Sequence, residues 1–150
     1  MYWNMVEMSE YESKSPDDTR LIGREISRQF SRGDTVLLDG GLGAGKTEFV
    51  KGVVDNLAPD NLVQSPTFSL LNIYSSEEIN LYHIDLYRLE DPEEISRAGL
   101  EEYLEPDGIT LIEWASRWPL AKQVGRFQIK IETICSEKRT IVMERLNSAK

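Results

Sequence analysis

The segment TVLLDGGLGAGKTEFVKGVVDNL, Thr35 to Leu57, restricts the fold more than any other part of the chain. Thr35 to Asp39 is a short apolar run with the composition of a buried strand. Past the glycines, Val50, Val53, Val54 and Leu57 recur at helical spacing, which predicts a helix reaching about Ala58 with one buried face. A strand delivered through a tight loop into a helix must bury itself in a sheet that the helix covers. The expected architecture is therefore α/β, a three-layer domain with a mostly parallel central sheet and additional antiparallel strands.

The loop itself meets the pattern G-x-x-x-x-G-K-[ST] with Gly40, Gly45, Lys46 and Thr47. Its chemistry explains the crowding of glycines. A β- or γ-phosphate has to approach several backbone N–H groups together, and side chains at positions 41, 43 and 45 would obstruct it or forbid the dihedrals required. The amides at the helix start add the positive end of the helix dipole. Lys46 supplies a point charge for the β- and γ-phosphates, and Thr47 offers a hydroxyl to Mg²⁺. A structural strand-to-helix turn would account for the glycines but not for the Lys-Thr pair.

Around this unit the chain alternates helices and strands. Ser15 caps a helix with Pro16 at its first position and Asp17 and Asp18 in its first turn; Ile22, Ile26 and Phe30 form its apolar stripe, flanked by Leu21. QSPTFSLLNIY reads as a loop becoming a strand, and NLYHIDLYRL as its hairpin partner across the polar turn SSEEI. DPEEISRAG is a short helix capped by Asp91 and ended by Gly99, and LEEYLEPDG a second short helix with a turn. ITLIEW is a further buried strand. RFQIKIETI and TIVMERL, joined by CSEKR, form a second hairpin with one wet face. Residues 1–10 read as a mobile leader or a short edge strand ahead of a single domain spanning the 150 residues.

Charge and residue usage narrow the function classes. A net charge of −9 disfavours direct binding to a phosphate backbone, so any nucleic-acid role is expected to run through a partner. With one cysteine and one histidine, neither a Cys-rich nor a multi-histidine metal site can form. The start lacks a basic segment and apolar core of signal type, and no apolar run approaches a membrane span, so a cytoplasmic location with no membrane partner is expected.

Mg²⁺ held by a phosphate loop ordinarily takes a carboxylate from the end of a neighbouring strand. Two candidates stand open on spacing alone: Glu113, ending ITLIEW, and Asp85, two residues after His83 and on the same face of its strand. A salt bridge with Arg88 or a strand-end turn is the structural reading of Asp85, a solvated strand end that of Glu113, a satisfied hydrogen bond that of His83, and packing that of Trp114 and Trp118. Thr67, behind the rigid Pro66, sits where a nucleotide-switch threonine would, although a Ser-Pro-Thr turn that starts a strand is the more common reading of such a stretch.

In order along the chain, GGLGAGKTEFVKG, VQSPTFSLLNIY, LYHIDLYRLEDPEEI, GLEEYL and ITLIEWASRWP together resemble the bacterial TsaE (YjeE) family over roughly residues 15–119. These are small P-loop ATPases required for threonylcarbamoyladenosine on tRNA, beside the anticodon. The resemblance implies that the loop, Gly41, Leu42, Gly43, Ala44, Gly45, Lys46 and Thr47, binds the phosphates of ATP. It implies that Thr47 and Glu113 ligate Mg²⁺, that Asp85 orients or deprotonates the attacking water, and that Thr67 belongs to a switch-like loop. Thr19 would lie near the adenine and Trp114 near the nucleotide. The implied partners are the TsaB and TsaD proteins, with tRNA reached only through their complex. Two positions depart from the family's usual pattern: Gly41, often acidic, and Glu48, often a second threonine.

Two other functions share the loop. A small-molecule kinase would need an acceptor pocket with an arginine-rich lid, yet between Leu57 and Gly99 only Arg88 and Arg97 occur. A GTP-dependent switch would need N-K-x-D and D-x-x-G elements, and both are absent. No arginine finger stands out in the chain apart from the candidate Arg88, which predicts slow hydrolysis governed by a partner.

Overall fold

The computed structural model describes residues 7–64, 70–104 and 107–146. They form a seven-stranded mixed sheet. The strands are β1 (Met8–Ser13), β2 (Thr35–Gly40), β3 (Leu71–Ser75), β4 (Asn80–Asp85), β5 (Ile109–Glu113), β6 (Phe127–Thr133) and β7 (Arg139–Arg145), in the spatial order β1-β7-β6-β2-β5-β4-β3. The four central strands, β6, β2, β5 and β4, run parallel; β3 pairs antiparallel at one margin, and β7 and β1 at the other. The expected α/β sheet is present, with its antiparallel strands placed outside the parallel centre. Met8–Glu10 belong to edge strand β1.

The helices are α1 (Pro16–Ser27), α2 (Lys46–Leu57), α3 (Pro92–Arg97) and α4 (Pro119–Val124), with 3-10 turns at Leu100–Tyr103 and Ala115–Arg117. The caps read from sequence form. The Ser15 side chain accepts from the Asp18 amide at 3.1 Å, and Asp91 accepts from the Glu94 amide at 2.9 Å. Helix α4, begun by Pro119, was not anticipated, because only Ala121 of its six residues is buried and the apolar signal is correspondingly thin.

Alternation along the central strands sorts the core into two layers. Val36 and Leu38 of β2, Leu81 of β4 and Leu111 of β5 face α1 and α2, where Ile26, Phe49, Val50 and Val53 meet them. Leu37, Ile84 and Ile112 face the opposite layer, with Ile95 of α3, Trp118 and Ala121. Trp118 is thus a core residue, as its default reading held. Leu21, expected beside the apolar stripe of α1, points outward, because the face that α1 buries is the one carrying Thr19, Gly23, Ile26 and Ser27.

Two glycines hold α1 and α2 closer than side chains would permit. A Cβ on Gly52 would lie 1.9 Å from the Arg20 carbonyl oxygen, and one on Gly23 would lie 2.3 Å from that of Phe49. This contact fixes the angle at which α2, and the loop at its N-terminus, meets the sheet.

Candidate functional site

The parallel strands β2, β4 and β5 all end on one rim of the sheet, where open α/β sheets offer their binding crevices. By alternation His83, Asp85 and Glu113 fall on the face that carries α2, the same side as Leu81 and Leu111. The strand register sets Asp85 directly beside Glu113, and Glu113 beside Leu38 of β2. Three polar residues from two strands therefore converge under the mouth of the glycine loop.

The loop runs from Gly40 into α2. Gly43 and Gly45 adopt φ of 77° and 102°, a region that an L side chain rarely enters, so glycine is required at both positions. The Ala44 amide donates to the Gly41 carbonyl at 3.1 Å, which tightens the turn. Leu42 stands at the apex, 73% exposed, while Ala44 is packed into the core.

A cavity of about 580 Å³ opens here. Of the residues read from sequence, Thr19, Leu42, Gly43, Gly45, Lys46, Thr47, Asp85, Glu113 and Trp114 line it. Gly41 faces a neighbouring cleft beside Trp114, and Ala44 contributes only backbone to the loop. Thr19 is buried, its hydroxyl 2.7 Å from that of Ser13. Thr67 lies outside the described residues.

Lys46 and Glu113 carry the charge. Lys46 Nζ donates to the Gly40 carbonyl at 2.8 Å, lies 3.5 Å from Glu113 Oε1 and sits 4.6 Å above the Trp114 ring. Glu113 Oε2 lies 2.5 Å from His83 Nε2. Glu113 is thus no solvated strand end; it is 5% exposed. Burial pushes its carboxyl up, but the hydrogen bond and charge of His83, with the charge of Lys46, outweigh this and hold it below the usual range.

Asp85 has the opposite environment. Burial, then the charge of Glu113, raises its carboxyl above the ordinary range, against a hydrogen bond from the Tyr87 amide at 3.0 Å. The adjacent carboxylates are thus driven apart, one held ionised and the other made more basic. Arg88, the proposed salt-bridge partner, lines the same cavity.

Four residues outside the set read from sequence border the cavity or brace its walls. Arg139 of β7 donates from Nε to the Ala44 carbonyl at 3.0 Å and from Nη2 to the Gly43 carbonyl at 3.3 Å. Ser136 and Glu137, in the turn before it, line the cavity. Arg117 stacks its guanidinium 4.9 Å from the Trp114 ring and donates to the Tyr87 carbonyl at 2.5 Å. Trp114 itself turns at φ 62°, which swings its ring from the end of β5 towards Lys46. A basic residue in a hairpin turn has no spacing signal linking it to a loop nearly a hundred residues earlier.

Among the described residues, no group of three His, Cys, Asp or Glu side chains could hold a metal ion by itself. Thr47 and Glu113 supply the oxygen donors Mg²⁺ prefers, and a site with one or two carboxylates is completed by substrate phosphates. The residues present fit that ion. No helix among the described residues is long and apolar enough to cross a membrane.

Comparison with known proteins identifies the family. The family model "Threonylcarbamoyl adenosine biosynthesis protein TsaE" matches residues 13–141. The tRNA threonylcarbamoyladenosine biosynthesis protein TsaE of Bacillus subtilis is 37% identical over 127 residues, 85% of this chain and 79% of that protein. Its counterpart in Rickettsia bellii is 40% identical over 126 residues, 83% of this chain and 87% of that one. The crystal structure of Bacillus subtilis YdiB superposes with a TM-score of 0.77 at 29% identity, covering 97% of this chain and 90% of that one. With the loop, the paired carboxylates and the sheet order all in place, the chain belongs to the TsaE family.

Proposed function

We propose that the chain is the Mg²⁺-dependent ATP-binding and ATP-hydrolysing subunit of the machinery that makes threonylcarbamoyladenosine on tRNA. The observation that carries this reading is the convergence of Lys46, Thr47, Asp85 and Glu113 on one cavity at the loop mouth. The relatives named for that biosynthesis give the pathway.

Phosphoryl transfer to water needs alignment and charge neutralisation more than covalent chemistry. The loop amides and Lys46 bind the phosphates, and Lys46 offsets charge on the β- and γ-oxygens. Thr47 and Glu113 hold Mg²⁺, which when bound neutralises the same oxygens. Asp85, with its raised proton affinity, orients water and accepts its proton. Trp114 and Thr19 border the nucleotide, and Thr67 belongs to a switch-like segment. Apart from the candidate Arg88, which lines the cavity, no arginine finger stands out in the sequence, and slow turnover under partner control follows.

The partners are the TsaB and TsaD proteins, which reach the tRNA, while this acidic subunit acts from the cytoplasm by ATP-driven resetting of their complex. Calorimetry with ATP or ADP, with and without Mg²⁺, tests the binding reading. Mg²⁺-dependent adenine-nucleotide uptake is expected, and its absence overturns the proposal. Pull-down with and without ATP tests the pathway, with recovery of the two transferase proteins as the expected result. Transfer of phosphate to a metabolite or nucleoside, in place of free phosphate, would make the chain a small-molecule kinase.

A further inference from the structure

His83 lies in the middle of β4, 1% exposed, on the face that α2 covers. Its Nε2 lies 2.5 Å from Glu113 Oε2, a hydrogen bond in which a ring N–H can donate to the carboxylate oxygen. The other ring nitrogen, Nδ1, is buried and has no hydrogen-bond partner. A histidine kept only to satisfy the core would ordinarily have both nitrogens matched. Here the ring's one hydrogen bond goes to the carboxylate, at the expense of the other nitrogen.

The consequence for Glu113 is directional. Oε2 is fixed towards the strand interior by His83, and Oε1 is left facing Lys46 at 3.5 Å and the cavity. Without that donor the carboxylate could rotate about its terminal torsion, which is broad and weakly restrained.

We infer that His83 is a positioning residue that orients the Glu113 carboxylate, leaving one oxygen to face the loop and any cation held there. This rests on the reading of Glu113 as a Mg²⁺ ligand. Partners that orient metal ligands from behind typically change metal affinity by about 10- to 100-fold when removed.

The test compares His83→Gln with His83→Asn. Gln sets a donor near the position of Nε2, whereas the Asn amide reaches only the position of Nδ1. Both are polar and smaller than histidine, so thermal melts can match them for folding. Mn²⁺ binding in the presence of ADP, followed by electron paramagnetic resonance, reads metal affinity, and ADP binding without metal serves as the second readout. Expected is a loss of roughly 10-fold or more in Mn²⁺ affinity for His83→Asn, with recovery towards the unaltered protein in His83→Gln and metal-free ADP binding unchanged in both. Equal Mn²⁺ affinity in Asn, Gln and unaltered proteins overturns the inference, as does a parallel loss of metal-free ADP binding. Glu113→Gln separates the two layers of the argument. If it binds Mn²⁺ as tightly as the unaltered protein, Glu113 is not the ligand, and both readings fall.

Discussion

Arg139 and Ala44 are joined by a 3.0 Å hydrogen bond from the guanidinium Nε to the loop carbonyl, across 95 positions of sequence. A trans peptide sets its N–H opposite its C=O, so tying back the Ala44 carbonyl directs the Gly45 amide the other way. The same guanidinium donates to the Cys135 carbonyl at 2.9 Å, so one side chain binds the loop to the β6–β7 turn.

Arg139→Ala is therefore expected to weaken Mg²⁺–nucleotide binding by about 10-fold, the loss of charged hydrogen bonds at a partly exposed site. Arg139→Lys should recover little of it, since an ammonium cannot span two carbonyls in one plane. Calorimetric dissociation constants for the three proteins check this.

Lys46→Ala removes both the positive charge at the loop mouth and a partner of buried Glu113. Productive ATP binding should fall below detection. Folding should persist, because His83 still pairs with Glu113. A circular dichroism melt beside a nucleotide titration separates the two effects.

Asp85→Asn should keep nucleotide affinity and lose about 10²- to 10⁴-fold in hydrolysis, the usual weight of a general base. Because burial and Glu113 raise the Asp85 carboxyl, the acid limb of the rate profile should lie above the normal carboxylate range and vanish in the variant. Linkage gives stability the opposite sign. A carboxyl raised on folding favours the folded state most below its unfolded pKa, and this is lost as pH rises through the folded value. Asp85→Asn should accordingly stabilise the chain at neutral pH and not at acid pH. Melts at both pH values check the sign.

Gly52→Ala drives a methyl into the Arg20 carbonyl and should cost about 1–3 kcal/mol in urea unfolding. Since α2 carries the loop, nucleotide affinity should fall with it. Gly99→Ala is the contrast: its Cβ meets nothing within 4 Å, so only the positive φ is penalised and nucleotide affinity should hold.

Local chemistry made much of this molecule legible. The strand–loop–helix unit, the caps at Ser15 and Asp91, both hairpins and the wet face of β6 and β7 each follow from spacing within a dozen residues or so, where periodicity and turn residues act directly. The loop motif marked Lys46 and Thr47 for the same reason. The partnership of Asp85 and Glu113 was visible only as two candidates. Strand register put them side by side, and burial with unequal neighbours made one more basic and kept the other ionised. The Arg139 tether, the Gly23 and Gly52 contact and the bond of His83 to Glu113 belong wholly to tertiary structure. They join residues 26 to 95 positions apart in chain, and such distances carry no period. The sequence determined which elements form and where the glycine loop lies; packing of the sheet and helices decided which side chains surround it, because only close approach in space fixes hydrogen bonds and shifts proton affinities.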